Sequence, residues 1–295
     1  MRRTGLAALA LGAAVAATSL ASPAPDGTAS LTPNTPAAPS KFRLDARGEP
    51  GGFPEGKIPN SMFLDFQQGF GFDGRSVSVF CTDSEASNYK CPESSRIGKG
   101  SVDVVLHGQF LPPNGENYTA AVSFYAAKPR ASGDILGVVF QFSEKSSGLQ
   151  GSTIGRLMPL SDPIYGAEWH FDHLPLPDIP PGITITIKRW VFDLTAQRTT
   201  PTVAPTAKKR KRLPTCSRHR HKHCRTVLPR CTKKRRHHCR RKPKRHIRLP
   251  APPPGETYTL IRNPPNCAGG NWAIRLRIGY SNGQQVREAK APCSG

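Results

Sequence analysis

Beyond its first twenty residues the chain has no apolar run approaching the roughly 20 residues that a bilayer-spanning helix needs. No stretch of twelve residues there keeps apolar side chains at i, i+3, i+4 and i+7, so amphipathic helices are not expected. The common catalytic signatures are missing too: there is no G-x-S-x-G elbow, no H-E-x-x-H and no phosphate-binding loop. Ile97-Gly98-Lys99-Gly100-Ser101 has glycines and a lysine without the spacing of such a loop, and reads as a β-turn. The most informative absence is local. From Lys208 to Arg248 there is no Asp, no Glu and no aromatic residue. Missing acids exclude internal neutralisation, and missing rings exclude base stacking of the single-strand-binder kind.

What fills that stretch is charge. Its 41 residues hold twenty Lys and Arg and six His, out of 42 Lys and Arg in the whole chain. Outside it 22 basic residues face 20 acidic ones, so the rest of the protein is nearly neutral. Cations at that density attract polyanions and repel one another. The expected contact residues are Lys208, Lys209, Arg210, Lys211, Arg212, Arg218, Arg220, Lys222, Lys233, Lys234, Arg235, Arg236, Arg240, Arg241, Lys242, Lys244 and Arg245. Counterion release makes such binding steeply salt-dependent and nearly blind to sequence. Teichoic acid, acidic polysaccharide and extracellular nucleic acid are the partner chemistries this fits, and an inert solubilising tail is the alternative.

The N-terminus reads as an export signal. Arg2 and Arg3 precede an Ala/Leu-rich run from Leu6 to Leu20, and Ser19-Leu20-Ala21 offers small residues for cleavage, giving a signal over 1–21. Residues 22–41, rich in Ala, Pro, Ser and Thr, read as a disordered linker. Eight cysteines fit an oxidising compartment. Cys81, Cys91, Cys267 and Cys293 lie in the neutral body, and Cys216, Cys224, Cys231 and Cys239 in the basic segment. Each set of four allows three pairings, and the most local choice in the body is Cys81–Cys91 with Cys267–Cys293. In the basic segment Cys216 to Arg225 aligns with Cys231 to Arg240 as a short repeat with His before its second Cys. Two small disulfide loops, Cys216–Cys224 and Cys231–Cys239, are one reading. A metal site with His223 and His238 is another, though the spacing lacks the close cysteine pair of common zinc sites. No cofactor is indicated.

Strand signals recur through the body. Met62, Leu64 and Phe66 alternate with their neighbours, as do Val77 and Val79, and Val102, Val104 and Leu106. Ala120 to Tyr125, Gly137 to Phe142 and Tyr258 to Ile261 are further short runs. Ile183, Ile185 and Ile187 alternate with polar residues, after which Trp190, Phe192 and Leu194 take the apolar role on the opposite parity. That one-residue shift predicts a β-bulge near Lys188 or Arg189. Trp272, Ile274, Leu276, Ile278 and Tyr280 form a second clear strand, followed by Asn282-Gly283 as a hairpin signal. The expected fold is all-β, an antiparallel β-sandwich, with a partly open β-barrel as the alternative. Its parts are 42–198 and 256–295, separated by a Pro-flanked basic insertion over 199–255. The remaining polar constellation is Glu168, His170 and Asp172, which share one face if extended. Such a trio could serve a metal-dependent hydrolase, but isolated polar residues on an exposed strand or loop look identical and are the favoured reading.

The body resembles a group of exported proteins of high-GC actinobacteria. The likeness rests on the signal peptide, on Cys91-Pro-Glu-Ser-Ser-Arg-Ile97-Gly98-Lys99-Gly100, and on Cys267-x4-Trp272 with Tyr280, Gly283 and Cys293. It spans 42–194 and 258–295, implies export and a compact β fold, and carries no activity to transfer. The leading expectation is a non-enzymatic secreted or envelope-associated domain whose insertion binds anionic polymers.

Overall fold

A computed structural model describes residues 27–47, 59–175, 182–200, 253, 255–281 and 283–295. Fifteen strands occur among them: β1 (Gly27–Thr32), β2 (Pro39–Arg47), β3 (Ser61–Gln67), β4 (Gly71–Phe72), β5 (Arg96–Gly108), β6 (Glu116–Ala127), β7 (Leu136–Ser143), β8 (Gln150–Pro159), β9 (Tyr165–Phe171), β10 (Ile183–Leu194), β11 (Gln197–Thr199), β12 (Thr257–Thr259), β13 (Ile261–Arg262), β14 (Asn271–Tyr280) and β15 (Gly283–Pro292). The one α-helix among the described residues is α1, Asp83–Ser87, held by a capping box between Thr82 and Glu85. No helix among the described residues is long and apolar enough to cross a membrane.

The sheet is a closed barrel, not the expected sandwich. Eleven strands follow in the order β1-β15-β14-β3-β9-β8-β7-β6-β5-β10-β2, and β2 closes on β1 from Gly27↔Ala46 to Thr32↔Lys41. Every neighbouring pair is antiparallel except β1 and β15, which run parallel. The barrel alternative is therefore correct in kind, but the barrel is closed rather than partly open. The closing strand comes from the span expected to be a linker. Gly27–Thr32 has two inward apolar positions, Ala29 and Leu31, both buried. So sparse a pattern looks like linker in sequence, yet the strand removes both free edges of the sheet.

An eleven-stranded barrel is wider than the eight or so strands that ordinary side chains fill, and here aromatic rings take up the extra width. Phe42 on β2 meets Phe66 on β3 at 5.4 Å between ring centroids, although three strands separate them round the barrel. Phe124 on β6 stands 5.4 Å from Trp169 on β9 and 5.1 Å from Phe192 on β10. Neighbours make room for these rings with glycine. A Cβ on Gly151 or Gly155 of β8 would stand 2.2 Å from the ring of Phe142 or 2.5 Å from that of Phe171.

Several local expectations hold. The register of β10 against β5 shifts between Ile187 and Arg189, placing the bulge at Lys188. Ile187, Trp190, Phe192 and Leu194 consequently all face the core. β14 and β15 pair from Asn271↔Pro292 to Tyr280↔Gly283. Cys81–Cys91 and Cys267–Cys293 are both bonded, as fits folding in an oxidising environment.

Two expectations fail. Ile97 to Ser101 is no turn but the start of β5, and its glycines are spacing devices. A Cβ on Gly100 would lie 1.9 Å from the carbonyl oxygen of Val191 on β10. Val77 and Val79 alternate yet lie outside any named strand. The chain there leaves a 3-10 turn capped by Asp73 and runs into the Cys81–Cys91 loop around α1.

Candidate functional site

The seventeen expected contact cations and Cys216, Cys224, Cys231 and Cys239 lie outside the described residues, so the structure positions only the feet of the insertion. Those feet adjoin. β11 and β12 pair antiparallel from Gln197↔Thr259 to Thr199↔Thr257. Just above the ribbon the Thr200 amide donates to the Glu256 carbonyl at 3.0 Å, and the Thr200 hydroxyl donates to the Pro253 carbonyl at 2.5 Å. At the root, Arg75 pairs with Asp73 at 2.8 Å and lies 4.3 Å over the ring of Tyr258, bordering an open polar cleft of about 500 Å³.

The barrel's own carboxylates are largely engaged by its own arginines. Asp45 pairs with Arg189, Asp134 with Arg156, Asp193 with Arg43, Asp83 with Arg130, Glu93 with Arg96, and Asp65 with both Arg275 and Arg277. The hydrogen bond from Arg189 holds Asp45 below the usual carboxylate range, and Arg156 does the same for Asp134.

Glu168, His170 and Asp172 do share a face, as their spacing predicts. His170 Nδ1 lies 2.5 Å from Glu168 and His170 Nε2 lies 2.6 Å from Asp172. Glu168 and His170 sit on the outer wall of β9, on the parity opposite Ala167, Trp169 and Phe171 of the core, and Asp172 follows just past the strand's end. Both imidazole nitrogens are occupied by carboxylates, and Glu168 is also bonded by Arg277. No cluster of three or more His, Cys, Asp and Glu among the described residues is arranged to hold a metal ion. This geometry makes a hydrogen-bonded network of Glu168, His170, Asp172 and Arg277 on the barrel wall.

Sequence reasoning missed a cavity. At the end of the barrel away from β11 and β12, an apolar hollow of about 130 Å³ opens between β5, β6, β7 and β10. Trp190 and Phe140, both 3% exposed, form its floor, with ring centroids 6.4 Å apart. Ile185, Ile187 and Val104 line its wall, and Leu149 at the mouth is 40% exposed. The two polar rim residues, Glu144 and Ser147, are turned toward each other and their own loop. Glu144 accepts from the amides and hydroxyls of both Ser146 and Ser147, which hold its pKa down to about 2. No single segment signals this hollow, since its walls come from four strands and read separately as core. The one legible cue is the bulge at Lys188, which turns Trp190 rather than Arg189 into the lumen.

Comparison with known proteins finds no match to a family model, a curated protein or a solved structure. The class that fold and site define is therefore physical: a disulfide-bonded, closed, mixed β-barrel with an apolar end and a basic insertion.

Proposed function

We propose that this protein is an exported, non-enzymatic β-barrel that adheres to anionic polymers through the insertion between β11 and β12. The observation that carries the reading is the confinement of the positive excess to 208–248, while the remaining 22 basic residues nearly balance the 20 acidic ones. Two structural features support it. The paired feet at β11 and β12 let the insertion leave and re-enter at one place, so a long insert costs the barrel little, because closure entropy grows only logarithmically with length. Many of the barrel's described carboxylates, Asp45, Asp65 and Asp134 among them, are bonded to its own arginines and so are not available to neutralise the insertion.

Deleting 208–248 tests this. The variant should keep the far-UV spectrum and melting behaviour of the barrel while losing retention on heparin and on DNA. Unchanged retention would show that the cations of the insertion are an inert solubilising tail.

A further inference from the structure

We propose that the apolar hollow at the end of the barrel away from β11 and β12 is a binding site for a neutral, monocyclic-sized apolar molecule. The inference is independent of the insertion, because the hollow lies beside the first half of β10, whereas β11 and the insertion follow its far end.

Size comes first. A cavity of about 150 Å³ lined by aliphatic and aromatic residues stays dry and takes up benzene. The hollow here, about 130 Å³ with Val104, Ile185, Ile187, Phe140 and Trp190 in its lining, falls in the same range. It admits one substituted ring or a short alkyl chain. Access comes next. Exposure rises from the buried floor at Trp190 to Leu149 at 40%, so the hollow communicates with solvent rather than being sealed in the core.

Charge is then excluded. Glu144 is the one ionisable carboxylate at the rim, and four hydrogen bonds from Ser146 and Ser147 fall on its two oxygens. Its charge stays at the mouth, a charged ligand would have to shed its water among apolar side chains deeper in, and no Lys, Arg or His lines the hollow to favour an anion.

The test uses the full chain with anisole and ethylbenzene, titrated by calorimetry and by Trp fluorescence. Both should bind saturably. Ala120→Phe, which projects a ring into the hollow, should abolish binding of both. Absence of saturable binding to the unmodified protein overturns the site, and binding undiminished in folded Ala120→Phe overturns the location.

Discussion

Arg277 on β14 reaches across β3 to bond Glu168 on β9, and on the way it also donates to Asp65 at 2.8 Å. Asp65 has no exposed side-chain surface and Glu168 is 5% exposed, so one guanidinium serves two buried carboxylates. Its plane also stacks 4.7 Å over Phe63. Three strands are thereby clamped from outside, while the aromatic rings fill the inside.

Removing that guanidinium takes one partner from each of two buried carboxylates, leaving Asp65 with Arg275 and Glu168 with His170. Arg277→Ala should lower stability by roughly 1.5–3 kcal/mol, the worth of a hydrogen bond to a charged group. Asp172→Asn, at the exposed end of the same chain of bonds, should cost under about 1 kcal/mol. Urea unfolding followed by far-UV circular dichroism compares the two, and equal effects would show that Arg277 is not the clamp.

β5 and β10 approach too closely for any side chain at Gly100, where a Cβ would sit 1.9 Å from the Val191 carbonyl oxygen. Gly100→Ala should cost about 1–3 kcal/mol by forcing the strands apart. A melting temperature within a degree of the parent protein would contradict the spacing argument.

The two disulfides should contribute unequally. Loop closure predicts about 3 kcal/mol for Cys81–Cys91, with 10 residues of separation, and somewhat more for Cys267–Cys293, with 26. Cys-to-Ser double variants at each bridge, unfolded in urea, give the order directly.

Stability should fall at both ends of the pH range. Glu144 has its pKa depressed from 4.5 to about 2, so it favours the folded state above 4.5 and loses that effect as pH drops toward 2. Asp45 and Asp134, also depressed, act in the same direction. Burial raises Tyr165 and Tyr280 from 10 to about 12, so their contribution is complete below 10 and is lost as pH climbs to 12. Melting temperatures from pH 2 to 12 should show a plateau with losses in those two windows. Glu144→Gln should make the acid slope shallower.

How much of this was legible in sequence depended on where each strand's inward volume comes from. β10 and β14 carry their own large inward side chains, Ile187, Trp190 and Phe192, and Trp272, Ile274 and Leu276, so period-two alternation exposes them, bulge included. β8 does not. Its inward positions at Gly151 and Gly155 are empty because Phe142 and Phe171 occupy that space, and an empty position leaves no hydrophobic signal. β1 fails for a related reason, as Ala29 and Leu31 alone cannot be told from a linker. Closure of the barrel depended on that strand, which is why a sandwich was the natural expectation. The Glu168-His170-Asp172 trio was legible as a shared face. Its partner Arg277, more than a hundred residues away, was not.

Salt dependence tests the central claim most directly. Binding of the full chain to a DNA duplex, measured from 50 to 200 mM salt, should weaken by roughly 10³–10⁵-fold if six to ten phosphates are engaged. The variant lacking 208–248 should show no measurable binding at any of these concentrations. Affinity that stays flat with salt, or is equal with and without the insertion, would contradict an adhesive role for its cations.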